Sequence, residues 1–262
     1  MSWLRVRAIS RRNALAVLRS PQRWFDFLAW PLVDAVLFGS IAVAFGETGA
    51  ADDVALGFFL SAVLLFHVVF QSQVGLAVGF MEETWSRNLL NLLVTPLRET
   101  EYVAGVLVFA LAKVAIGITV VAIVAAVAFT TSVGALGFAL VPMVAILFVV
   151  GTAIGLIVIG MILRFGQGAE ILTWGFLAIW LPLSGIFYPV DAMPAFLRPV
   201  AQLLPTTHVF AAARSVVDGD ALPWSELGWA SLGAVALLVG GALFVVKMLA
   251  VFRARGYVSR HT

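Results

Sequence analysis

Asp34, His67 and Lys113 are ionisable residues set inside long apolar runs, and Gln71 and Gln73 share a run with His67. At mid-depth in hydrocarbon an ionisable side chain costs at least about 2.5–3.5 kcal/mol, so such groups face water, a bundle interior or each other. One chemistry is a polar lining for a cargo path, made by Asp34, His67, Gln71 and Lys113. A second is an ion- or proton-coupled carrier using Asp34, His67 and Lys113, for which broken helices in two matched halves are expected. Only one strongly proline-interrupted region exists, near the C-terminal end. The plain alternative is packing: Asp34 pairs with Lys113, or His67 and Gln71, at i and i+4 on one helix face, bridge neighbouring helices.

Catalytic chemistry is poorly served. The chain has no H-E-x-x-H, no G-x-S-x-G and no second intramembrane aspartate to join Asp34. Ser184 and His208 are better explained as polar structure in a proline-rich segment than as a dyad. The absence of cysteine excludes disulfides, thiolate nucleophiles and cysteine-ligated metals. Neither lysine, Lys113 or Lys247, follows the glycines of a phosphate loop, so the chain is not itself an ATPase of that kind. No catalytic, cofactor-binding or metal site is expected, and no nucleic-acid binding, because the arginines stand where anionic lipid would meet them.

The elements that hold these residues follow from composition. Of 262 residues, 62% are hydrophobic and 11% charged, against about 25% charged in soluble domains, which predicts a polytopic membrane protein. With about 20 apolar residues per span, the runs predict six transmembrane helices in a single all-α membrane domain, 1–262. They lie near Phe27–Gly46, Leu56–Met81, Tyr102–Phe129, Phe138–Leu163, Ile171–Tyr188 and Leu227–Val251. Residues 2–20 form an interfacial amphipathic helix, with Arg5, Arg12 and Arg19 on one face and available to lipid phosphates. Trp3, Val6, Ala14 and Val17 lie opposite, and Pro21 ends the helix. No cleavable signal peptide is evident in the arginine-rich first residues.

Orientation follows from basic residues in short flanks. The N-terminal segment, residues 82–101, Arg164 and the C-terminal tail carry nearly all of them, whereas the opposite side holds only Arg198 and Arg214 among many acidic residues. Both termini are therefore expected in the cytoplasm. Gly151, Gly155 and Gly160 are read as close helix packing, and Trp174, Phe176, Trp180, Phe187 and Tyr188 as an interfacial aromatic belt.

Two segments do not read as spans. Residues 82–101 place Trp85, Leu89, Leu92 and Leu93 on one helical face, with Thr84, Arg87, Asn88 and Asn91 on the other and Pro96 at the end. Glu82, Glu83, Glu99 and Glu101 would be repelled by anionic headgroups, so this cytoplasmic insert is expected to dock a protein. Residues 189–226 mix Pro189, Pro194, Pro199 and Pro205 with apolar side chains. Short helices re-entering the outer leaflet satisfy both features, and such a hairpin makes an outer gate.

The run Glu83…Leu89-Leu90-Asn91-Leu92-Leu93-Val94-Thr95-Pro96-Leu97…Glu101-Tyr102…Gly105 resembles the coupling-helix region of type-2 permeases of ATP-binding-cassette exporters. Leu183-Ser184-Gly185-Ile186-Phe187-Tyr188-Pro189-Val190…Met193-Pro194…Leu203-Leu204-Pro205-Thr206…Arg214 resembles that family's external hairpin. With the N-terminal helix and six-span layout, the likeness covers essentially the whole chain. A glycine-threonine pair often precedes the coupling leucines in the family, whereas Asn88 stands in that neighbourhood here.

The resemblance implies a homo- or heterodimer of permeases in the inner membrane of a prokaryote, in contact with lipid and with two ABC ATPase subunits that use ATP and Mg. It implies outward transport of a drug, lipid-linked glycan, polysaccharide or peptide. Glu82, Glu83, Trp85, Arg87, Leu89, Leu92, Leu93 and Pro96 are then the coupling residues. Ser184, Gly185, Phe187, Tyr188, Pro189, Pro194 and Pro205 shape the outer gate.

Overall fold

A computed structural model describes residues 2–47, 53–86, 95–129 and 133–254, and all regular structure among them is helical. Helix α1 spans Trp3–Leu18 and is closed by Arg19, whose N–H reaches Leu15 O. The break expected at Pro21 thus falls earlier. Pro21 instead opens α2, Pro21–Glu47, at the first helical position, where a missing N–H costs nothing.

Helix α3, Asp53–Trp85, has 33 residues, about 50 Å at 1.5 Å per residue, and so outruns the hydrocarbon. Its length corrects the expected boundary at Met81: Glu82, Glu83 and Trp85 ride on the end of the apolar helix itself. Helix α4 covers Glu99–Ala128. Its first turn is closed by Glu101, whose carboxylate accepts from the N–H of Arg98 at 3.0 Å.

A 3-10 segment, Val133–Ala139, leads into α5, Leu140–Phe165, which ends at Gly166. After the turn Gln167–Ile171 comes α6, Leu172–Leu183, only 12 residues long. The remaining helices are α7, Arg198–Leu203, α8, Pro205–Val217, and α9, Trp224–Ala254.

Four described helical stretches are long and apolar enough to cross a membrane: Gly57–Trp85, Thr100–Ala128, Leu136–Phe165 and Trp224–Phe252. Leu28–Ala44 and Gly168–Leu183 are apolar but shorter. Helix α9 turns Trp229, Leu232, Val235, Val239, Leu243 and Val246 outward, a surface suited to acyl chains.

Helix α5 is the central post, packed between α3 and α9 and buried along most of its length. Close approach there depends on glycine. A Cβ on Gly151 would lie 1.9 Å from Ser72 Oγ and 2.6 Å from Val69 O. One on Gly155 would lie 3.2 Å from Gln73 O, and one on Gly160 2.4 Å from the Phe244 ring. Where lipid removes the hydrophobic drive between helices, this contact area is what holds them.

Gly151→Val forces α3 off α5, an overpacking that costs about 1–3 kcal/mol or more. The unfolding midpoint of the purified protein in detergent should fall accordingly; an unchanged midpoint would show that the α3–α5 contact is loose.

Candidate functional site

The inner end of the molecule is organised around the two flanks of residues 87–94. Arg87, Leu89, Leu92 and Leu93 lie outside the described residues, and so does the apolar face they were expected to share. The flanks are well defined. On the entering side, Arg12 of α1 pairs with Glu83 of α3, whose side chain is buried. On the leaving side, Arg5 of α1 reaches Glu101 of α4 at 3.2 Å. The Arg5 guanidinium also donates to Pro96 O, and the Ser2 N–H to Glu101 at 2.6 Å.

These contacts add to the expectation for α1. Arg5 and Arg12 also hold protein carboxylates, one on each side of the insert. Between them, Val6 and Ile9 are buried where α1 presses on Gly105 of α4: a Cβ there would stand 2.6 Å from Ile9 Cβ. Trp3, expected on the face opposite the arginines, is exposed. The missed signal is charge matching. Two arginines seven residues apart answer two carboxylates, Glu83 and Glu101, that bracket the insert.

Trp85, the last residue of α3, donates its indole N–H to Glu170 at 2.5 Å, in the turn ahead of α6. Glu170 was not singled out in the sequence, where it reads as part of a brief polar link. Higher on the same two helices, the Gln73 amide donates to Thr173 O at 3.0 Å.

Among the intramembrane polar residues, His67 is buried with Nε2 at 3.6 Å from Asp34 Oδ2, and its Nδ1 is 3.1 Å from Val63 O. The pairing links α2 to α3 through His67, an interhelical contact of the kind expected for that residue, and Asp34 meets His67 where Lys113 was expected. Gln71 is buried, and Lys113 on α4 is half-buried and has its own interactions. The ring of His67 lies among Phe66 and Phe70, and Phe70 in turn meets Trp174 of α6 at 6.0 Å.

The expected gate residues gather at the other end of α6. Ser184 caps that helix, bonding Trp180 O at 2.7 Å and Thr206 Oγ1 at 2.9 Å. The Trp180 indole also donates to Thr206, at 2.9 Å. Gly185 has φ +61°, a conformation that an L side chain resists, and its carbonyl accepts from Arg214 of α8 at 2.8 Å. The Arg214 guanidinium lies 4.6 Å above the Phe58 ring.

Phe187 stacks between Phe38 of α2, at 4.5 Å, and Phe59 of α3, at 5.9 Å. Tyr188 turns back to donate to Pro182 O at 2.7 Å. Pro189 and Pro194 flank the short turn Val190–Ala192, while Pro205 is buried at the start of α8, close to Gly233 of α9. The proline-rich segment is therefore fastened to α2, α3, α6 and α9. Ser184 and His208 have separate partners, His208 bonding Glu226 at 2.6 Å, so no dyad exists between them.

A bundle of apolar helices with charge pairs at one end and a fastened, proline-broken hairpin defines an integral membrane protein. A family model described as ABC-2 type transporter matches residues 5–217, and the chain belongs to that family. A search of curated proteins found no match. Members are transmembrane components of ABC transporters that work with ABC ATPase partners. Membership does not favour the ion-coupled carrier.

Arg12→Gln leaves the buried Glu83 carboxylate short of its partner, whereas Arg12→Gln with Glu83→Gln removes both charges. The single change should cost about 1–3 kcal/mol of stability, less than a fully buried pair because Arg12 is 39% exposed. The double variant should recover part of that loss. Strictly additive losses in a double-mutant cycle would rule out a direct pair.

Proposed function

We propose that this chain is one permease half of an ATP-driven exporter with six spans and both termini in the cytoplasm of a prokaryotic inner membrane. Two ABC ATPase subunits, which bind ATP and Mg, dock on the cytoplasmic insert. A second permease copy or a related chain completes the path. The cargo is hydrophobic or amphipathic, in keeping with walls rich in aromatic and aliphatic side chains.

The single observation behind this reading is the double fastening of the insert. Arg12–Glu83 secures its entry and Arg5–Glu101 its exit, both on α1. A push on Leu89 and Leu92 passes into α1, α3 and α4 together, where an unanchored loop would absorb it. Glu82, Glu83, Trp85, Arg87, Leu93 and Pro96 frame the docking face. ATP-driven closure of the partners tilts these helices, and the stack of Phe38, Phe187 and Phe59 is the outer barrier that must part.

The polar pair Asp34–His67, with Gln71 and Lys113, is assigned to the same path, where it hydrates the route between the halves. Ser184, Gly185, Tyr188, Pro189, Pro194 and Pro205 hold the hairpin in the closed form.

Leu89→Asp with Leu92→Asp should leave membrane insertion intact and abolish transport by the complex reconstituted with its ATPase. Cargo-stimulated ATP hydrolysis should drop at least about tenfold, the equivalent of 1.4 kcal/mol of lost coupling. Undiminished cargo stimulation in that variant would sink the assignment.

A further inference from the structure

We propose that the Trp85 indole and the Glu170 carboxylate form a strut through which movement of the first inner loop is delivered to α6 and, by α6, to the outer hairpin. The purpose of the strut rests on the exporter reading; its geometry does not. Trp85 is the final residue of α3, immediately ahead of the insert, and Glu170 belongs to the turn Gln167–Ile171 that runs directly into α6. Their bond, 2.5 Å from indole N–H to carboxylate, is the lowest connection between the two elements. Gln73 to Thr173 O is a higher one. Two attachments on one short helix fix its angle against α3, where one would leave it free to pivot.

At its outer end α6 is tied again. Trp180 and Ser184 both bond Thr206 of α8, and Gly185 O accepts from Arg214 of the same helix. The 12-residue α6 is about 18 Å long and spans barely three turns, and its one proline, Pro182, lies beyond Trp180 near the outer end. Rotation at Glu170 is therefore carried to Thr206 through the proline-free stretch that ends at Trp180. A charge-assisted bond is suited to the inner joint, being short and directional, and Trp85 offers a single donor whose ring fixes the bond's direction.

The test uses the full chain in lipid nanodiscs and needs neither ATP nor a partner. Amide hydrogen exchange is compared in wild type, Trp85→Phe, Glu170→Gln and the double variant. Each single change should raise exchange over residues 184–217 about three- to tenfold, the range set by one net hydrogen bond, and the double should go no further. Thr119→Ala, which removes a side-chain bond within α4, should leave that segment unchanged. A rise confined to residues 164–172, an equal rise in every helix, an additive double variant or no rise at all would each overturn the strut.

Because the chain contains no cysteine, one introduced at the exposed Phe196 reports the hairpin in complex with an ABC ATPase. Nucleotide should change its labelling by an impermeant maleimide in the wild-type background and not in Glu170→Gln. Retention of that nucleotide response in Glu170→Gln would overturn the strut. No nucleotide response in either background, alongside the expected exchange pattern, would count against the exporter reading and leave the strut standing.

Discussion

Hydrocarbon supplies no hydrogen bonds and little screening, and the arrangement of this protein follows from that scarcity. Each carboxylate near the ends of the long helices must be given partners by the chain itself. Glu83 and Glu101 obtain them from Arg12 and Arg5 of α1. Glu101 is also met by the N–H groups of Ser2 and Arg98. The N-terminal helix is consequently tied to α3 and α4 by charge pairs. Its contact with Gly105 is so close that the helices meet backbone against side chain.

The same scarcity governs the middle of the bundle. With no hydrophobic drive between helices in lipid, α3, α5 and α9 are held by close contact at Gly151, Gly155 and Gly160. Polar side chains at that depth turn to backbone carbonyls: Ser72 to Val68, Thr152 to Phe148 and Gln73 to Thr173. His67 does so with one nitrogen while facing Asp34 with the other. These bonds give the core registry, although His67 Nε2 and Gln73 Oε1 stay buried without a hydrogen-bond partner among the described residues.

Both ends of the short helix α6 carry specific bonds, and its place in the chain explains why. It lies between the turn that meets Trp85 and the hairpin that carries Arg214, so its bonds join those two segments. Twelve residues are too few to span a bilayer alone. The proline-broken segment after it stays folded against the helices: Arg214 donates to Gly185 O, the Trp180 indole to the Thr206 hydroxyl, and Ser184 and Tyr188 reach back to the carbonyls of Trp180 and Pro182 in α6.

Much of this was legible from residue order. Apolar run length predicted the long helices to within a few residues, since the spacing of lipid boundaries is a property of the bilayer. The glycine pattern predicted close packing on α5, and proline spacing predicted short helices after α6. The family motifs pointed to the class that the match over residues 5–217 establishes. What residue order could not decide was partner choice. Residue order points Arg5 and Arg12 toward lipid phosphate and Asp34 toward Lys113, whereas the packed helices bring them to Glu101, Glu83 and His67. Coulomb attraction depends on separation, and separation between residues 71 or 96 positions apart is set only when the helices pack. The Trp85–Glu170 bond is of the same kind: each residue is unremarkable in its own segment, and only the crossing of α3 beside the turn into α6 brings them within reach.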